Sequence, residues 1–314
     1  MSPAAPADLR RVRTSVLDIA YEESGPADGA PVFLMHGFPD DVRTWDGVAA
    51  PLAANGCRVL VPYLRGYGPT RFLSANTLRS GQQGALGSDL KEMMDALGIE
   101  RAILAGYDWG GRAACVAAAI WPERVTGLVT IGGYNIQDIA GNLRPDGADQ
   151  EWRFWYQWYF NTPRGVAGLA ANRHDLCRLL WKMWSPNWTF DDATYAATGA
   201  AFDNPDFVDV VIHSYRHRYR AAPNDPAYET IERRLALKPK IAVPTVVLHG
   251  AADDVDLPQS SADASPFTAA YRREVVPRAG HFCPREAPQK VVEAVLELSR
   301  APCPAPERRC AGYP

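Results

Sequence analysis

Continuous apolar runs alternate along this chain with segments whose apolar residues recur every three to four positions. Pro31 to Met35, Cys57 to Pro62, Ala102 to Ala105, Val125 to Ile131 and Val243 to His249 are runs of the first kind. Such runs are expected of strands buried on both faces of a sheet. Ser15 to Tyr21 alternates and reads as an early strand, and Arg273 to Val276 as a late one. Helical spacing appears at Val42 to Ala54, which ends at Asn55-Gly56, and at Leu86 to Leu97, where Leu90, Met93, Met94 and Leu97 share a face. It returns in the Ala-rich stretch Ala113 to Ile120 and at Glu286 to Leu298. Strands alternating with helices predict an α/β fold with a mostly parallel sheet covered on both sides.

From Tyr134 the pattern changes. Residues 134–234 have helix-like spacing with no evident strand, and hold six of the nine tryptophans: Trp152, Trp155, Trp158, Trp181, Trp184 and Trp188. A helical insertion between two halves of one sheet is a cap. The expected organisation is a loose arm (1–13), a core (14–133 and 235–300), the cap (134–234) and a Pro- and Arg-containing tail (301–314). No internal repeat stands out.

Composition narrows the choices only a little. The 314 residues carry 33 basic and 36 acidic side chains, a net charge of −3, so neither nucleic acid nor an acidic membrane surface is an expected partner. No apolar run approaches the ~18 residues of a membrane helix, and Met1 to Ala7 lacks the layout of a secretion signal, so the expected location is cytoplasmic. The six cysteines have no metal-ligand spacing and are expected to be reduced thiols, with Cys303 and Cys310 a pair that could form on oxidation.

The chemistry centres on Gly106-Tyr107-Asp108-Trp109-Gly110, a glycine-flanked turn between an apolar strand and an Ala-rich helix. A turn of this kind holds its middle side chain above the sheet edge. A carboxylate there needs no base, because it is already an anion at neutral pH, and it suits attack on an sp3 carbon to give an ester. His36-Gly37-Phe38-Pro39 closes an earlier strand, and Ala279-Gly280-His281-Phe282 follows the last one. Gly250 to Asp256 leaves a strand end with three acids (Asp253, Asp254, Asp256), whereas Gly132 and Gly133 leave the preceding strand without one. His174, His213, His217 and His249 lack such a context and read as surface or packing residues.

Gly-Tyr-Asp-Trp-Gly-Gly resembles the nucleophile turn of α/β-hydrolase-fold epoxide hydrolases, and the related dehalogenases share its aspartate. The resemblance implies an α/β-hydrolase fold with an inserted helical cap, and an enzyme that opens an epoxide through an Asp108 ester. It implies that His281 activates water and that Asp253 orients it, Asp254 and Asp256 being the alternatives. The backbone N–H groups of Phe38 and Trp109 would form the oxyanion hole. Phe154 to Phe160 resembles the cap segment supplying one ring-opening tyrosine, Tyr156, which is expected to share a helical face with Trp152 and Tyr159. His213 to Arg216 resembles the segment supplying the other, Tyr215, which stands at i+8 and i+4 from Phe207 and Val211 on an apolar face. Trp158, Trp184 and Arg112 are expected to contact substrate, with an internal ion pair the alternative for Arg112. No cofactor or metal is implied. The expected substrate is a small-molecule epoxide, bulky and apolar or aromatic, and a homodimer is left open. A dehalogenase and a slow-turnover ligand sensor are the rival functions.

Overall fold

The central strands are the apolar runs themselves, laid side by side. In the computed structural model, which describes residues 8–300, they belong to one sheet of nine strands. These are β1 (Asp8–Arg13), β2 (Leu17–Ser24), β3 (Ala30–Met35), β4 (Cys57–Pro62), β5 (Arg71–Phe72), β6 (Ala102–Tyr107), β7 (Val125–Ile131), β8 (Thr245–Gly250) and β9 (Tyr271–Val276). The order is β1-β2-β4-β3-β6-β7-β8-β9, with β5 paired to β2. From β4 to β9 every pairing is parallel; β1, β2 and β5 add an antiparallel margin. Every residue of β6 and β8 is buried, the burial that a parallel strand covered on both faces requires.

Helices α1 (Asp46–Ala54), α2 (Gln83–Ala96) and α3 (Asp108–Ile120) follow in order, and α10 (Cys283–Glu286) and α11 (Pro288–Arg300) close the described chain. One layer joins α1 to α11; the other joins α2 to α3. The expected helix over Val42 to Ala54 begins as a short 3-10 turn, Val42–Trp45, because the Asp41 side chain accepts from the Arg43 N–H and tightens the start.

The arm expected over residues 1–13 is corrected by the structure from Asp8 onward. Asp8–Arg13 is an edge strand, antiparallel to β2. Its arginines masked it in the sequence. Arg10 pairs with Glu23 and Arg11 with Asp18, so a highly charged strand suits a margin that must not recruit another sheet. Residues 1–7, the tail 301–314 and the Cys303–Cys310 pairing lie outside the described residues.

Between β7 and β8 the described chain contains helices and no strand: α4 (Ala148–Arg153), α5 (Trp155–Phe160), α6 (Pro163–Trp184), α7 (Asp192–Gly199), α8 (Phe207–Arg218) and α9 (Glu229–Leu235). Thr162 caps α6 and Asp191 caps α7, each accepting a backbone N–H of the first turn. The inserted segment packs on itself at several aromatic contacts, such as Trp181 of α6 against Trp188 of the following loop at 5.2 Å between ring centroids. Helix α9 packs on α2 and α3, so the boundary expected at 234/235 falls inside an element that touches the core layer. Trp181 Nε1 donates to the Pro39 carbonyl at 2.6 Å, and the Arg285 guanidinium lies 4.7 Å from the Trp181 ring while its Nε donates to Asp40 at 2.9 Å. Among the described residues no helix is long and apolar enough to cross a membrane, and Cys57, Cys115, Cys177 and Cys283 are buried free thiols.

Candidate active site

Four loops leave the carboxyl ends of parallel strands and converge, where open α/β sheets place their sites. The turn after β6 carries Asp108, whose φ is +48°, in the left-handed region that non-glycine residues rarely adopt. The flanking glycines serve close approach. A Cβ on Gly110 would stand 2.0 Å from the Met35 carbonyl oxygen, and one on Gly106 2.5 Å from Gly110. Helix α3 therefore starts hard against β3, and the Phe38 N–H donates to Asp108 Oδ1 at 2.7 Å.

His36 stands behind this loop and is shaped for packing. It is fully buried, its Nε2 accepts the Leu64 N–H at 3.1 Å, and burial pushes its pKa down to about 4, so the ring stays neutral.

The loop after β9 brings in His281, and the loop after β8 its acid. His281 Nδ1 lies 3.0 Å from Asp253 Oδ2, while Asp253 Oδ1 accepts the N–H groups of Val255 and Asp256. Burial opposes a charge on His281, but Asp253, Asp108 and Asp256 outweigh it and raise the pKa to about 9. Nε2 has no hydrogen-bond partner among the described residues, and His281 lines a cavity with Asp108. Of the alternatives, Asp254 turns away to bind Arg153. Asp256 lines the cavity, so the three acids divide into an orienting group, a surface pair and a wall residue. His249 is buried beneath the same loop, with Nδ1 2.8 Å from Ser261 Oγ and Nε2 2.7 Å from the Asp256 carbonyl.

The insertion supplies the roof. Tyr156 and Tyr215 are both buried, their rings 5.3 Å apart and nearly perpendicular, and both line the cavity. Burial raises both phenol pKa values, so both hydroxyls remain protonated and able to donate. Gln157 Nε2 donates to the Tyr156 hydroxyl at 2.9 Å, and Gln157 Oε1 accepts from Tyr219. Trp184 packs 5.0 Å from Tyr156 and 5.1 Å from His281. The Phe38 ring sits under these groups, against Trp109, Tyr156 and Tyr215.

Several expected details are corrected. Trp152 does not share a face with Tyr156: the chain breaks between α4 and α5 at Phe154 (ψ +13°), and Trp152 points outward. Trp158 is exposed, its ring 4.4 Å from that of Tyr219 at a tilt of 41° along an outer groove, and does not line the cavity. Trp184 and Arg112 do line it, and Arg112 forms no ion pair among the described residues. The cavity is about 230 Å³, below the ~300–1,000 Å³ common for drug-sized ligands, and is walled largely by polar groups rather than as a broad apolar slot. Arg218, Asn135 and Gln137 contribute to it without any motif that marks them in the sequence. Nor does sequence spacing reveal the latch at the end of α6. The Trp184 carbonyl accepts both the His281 and Asp254 N–H groups, each at 3.2 Å. Ser185 Oγ donates to Glu286 at 2.6 Å and accepts the Phe282 N–H, and Glu286 in turn accepts the Gly280 N–H.

Residues 30–288 match the family model described as the alpha/beta hydrolase fold. The chain belongs to the α/β-hydrolase family. Within it, the chain is 44% identical to a crystal structure from Klebsiella pneumoniae presented as a candidate epoxide hydrolase, with a TM-score of 0.92 over 93% of this chain and 97% of that one. It is 27% identical to epoxide hydrolase A of Mycobacterium tuberculosis, over 92% of this hydrolase and 96% of that one. A shorter match, 33% identical over 40% of this chain and 42% of the other, is to a haloalkane dehalogenase of Mycobacterium marinum.

Proposed function

We propose that this hydrolase converts an epoxide to a vicinal diol through an ester on Asp108. The observation that carries it is one cavity holding a carboxylate at a strand-to-helix turn, two protonated tyrosine hydroxyls and an Asp253–His281 pair. Long relatives named epoxide hydrolases support it. In the first step an Asp108 oxygen attacks an epoxide carbon, the C–O bond breaks, and the leaving oxygen takes a proton from Tyr156 or Tyr215. The tyrosines favour an oxygen leaving group over a halide, because an alkoxide needs a proton and a halide does not. In the second step His281 removes a proton from water, and the hydroxide adds to the ester carbonyl. The N–H groups of Phe38 and Trp109 hold the resulting oxyanion, each such donor being worth ~2.7–4 kcal/mol. The intermediate collapses as the departing alkoxide takes the proton from His281, which releases the diol. The acid proton left on Asp108 returns to the tyrosinate, and Asp108 keeps one oxygen from water.

The electrostatics suit this order. A histidine held near pKa 9 by three carboxylates is charged at neutral pH and is no base. Esterification removes the Asp108 charge, which lowers the His281 pKa just when a base is required. The helices over the site act as a cap in this scheme. The test is turnover of a chromogenic epoxide by wild type and Asp108→Ala, beside halide release from a halo-acid. Diol formation abolished in a folded Asp108→Ala supports the proposal. Halide release without diol would turn it to a dehalogenase, and tight binding without turnover of either to a ligand sensor.

A further inference from the structure

We propose that the substrate is a small epoxide carrying a carboxylate, and that Arg112 binds that carboxylate. This rests on the epoxide reading above and names the substrate class for the same cavity. Arg112 is only 8% exposed, yet among the described residues its guanidinium makes no hydrogen bond and no ion pair, and its Nε is buried without a partner. Burying an unpaired cation is costly, so buried guanidiniums are ordinarily paired. This fold obeys that rule elsewhere. Arg65 holds Asp89 through two nitrogens and also donates to Ser80 and Tyr228; Arg285 holds Asp40 and Thr198. Arg112 instead faces the cavity, and a ligand anion is the partner that its surroundings lack.

Position adds to charge. Arg112 lies on α3 four residues beyond Asp108, and both side chains line the same cavity. A short acid gripped by the guanidinium fork would present its epoxide to Asp108 within the same cavity, as in a 2,3- or 3,4-epoxy acid. The cavity of about 230 Å³ suits a short chain. Arg218 faces the same cavity from α8, likewise without an ion pair among the described residues. The carboxylates near the cavity are Asp108, whose Oδ1 accepts the Phe38 N–H, Asp138, paired with Lys238, and Asp256, whose pKa burial pushes up; none forms an ion pair with Arg112 among the described residues.

The test compares 2,3-epoxybutanoate with its primary amide, in wild type, Arg112→Met and Arg112→Lys. Wild type should prefer the acid by about 100-fold in kcat/KM, the size of one buried charge-assisted contact. Arg112→Met should abolish the preference through a raised KM for the acid, and Arg112→Lys should keep part of it. Removing an unpaired buried charge should leave the melting temperature of Arg112→Met at or above that of wild type; if this variant does not fold, Arg112→Lys carries the comparison. Equal use of acid and amide by wild type, or a preference that survives Arg112→Met, overturns the anion site and leaves the epoxide reading standing. If wild type opens the chromogenic epoxide but neither of these two, the carboxylate substrate class is overturned and the epoxide reading stands. If it opens none of the three, the epoxide reading fails, and calorimetry with 2,3-dihydroxybutanoate and its amide decides the anion site alone. Selective, Arg112-dependent binding of the acid supports the site; equal or absent binding overturns it.

Discussion

Replacing Tyr156 and Tyr215 by Phe, singly and together, tests the roof of the site. In the proposed mechanism each hydroxyl donates to an oxygen that becomes negative only as the ring opens. A hydrogen bond to a charged group contributes about 1.5–3 kcal/mol, so each single change should slow opening by ~10–150-fold and the pair by ~10²–10⁴-fold. The two changes should differ in stability. Tyr156→Phe strips the acceptor from Gln157 Nε2, a buried donor whose side-chain oxygen remains tied to Tyr219. Leaving such a donor unmatched costs about 1–3 kcal/mol. Tyr215 has no hydroxyl partner among the described residues, so Tyr215→Phe should melt close to wild type, and Tyr156→Phe a few degrees lower. Single-turnover quenched flow with enzyme in excess reads ring opening directly, apart from ester hydrolysis. A double variant that opens epoxide at the wild-type rate would show that the leaving oxygen is held by another group. Equal melting temperatures for the two single variants would refute the assignment of the Gln157 donor.

Three further outcomes are expected. His281→Gln should be alkylated but fail to release diol, so intact mass spectrometry should find the protein heavier by one whole epoxide; absence of the adduct, with label from heavy water passing straight into diol, would instead make Asp108 a base. Asp253→Asn removes a charge that raises the His281 pKa, so the NMR midpoint of His281 should fall from about 9. A raised histidine pKa adds stability that is complete below the unfolded value near 6.5 and is lost as pH rises through the folded one. Asp253→Asn should therefore flatten the loss of stability between pH 6.5 and 9, and an unchanged slope would count against the pairing. Ser185→Ala cuts the hydroxyl that bridges Glu286 and the Phe282 N–H. It should lower kcat with little change in KM, and an altered KM alone would argue for a contact with substrate instead.

Much of the frame was legible because each strand buried on both faces writes a continuous apolar run, as in Val125–Ile131 and Cys57–Pro62, where expected and observed bounds coincide. Tyr215 could be placed inward because Phe207 and Val211 repeat on the same helical face, and all three are buried. The same logic failed at Trp152, since it presumed one helix where Phe154 divides two. Strand β1 was hidden because an edge strand pairs its charges with a neighbour and needs no apolar stripe. The character of the cavity was hidden for another reason. The many aromatic residues of the insertion largely pack on one another or face outward, as Trp181 with Trp188 and Trp158 with Tyr219, so their number says little about the pocket. Its wall is set in part by Arg112, Arg218 and Asp256, three ionisable side chains whose meeting depends on α3, α8 and the loop after β8 coming together.

The stitching at Trp184 and Ser185 bears on how modular this protein is. The sequence invites a division into a scaffold and an exchangeable specificity unit, with junctions after β7 and before β8. Yet one carbonyl at the end of α6 fastens the loops of both the orienting acid and the histidine, and the next side chain fastens Glu286. An insertion transplanted from a relative would bring its own substrate walls and leave those two loops without their braces. Recombination that respects the chemistry must carry residues 253–256 and 280–286 along with α6, so the inheritable unit for specificity is discontinuous in the chain and larger than the helices that cover the site.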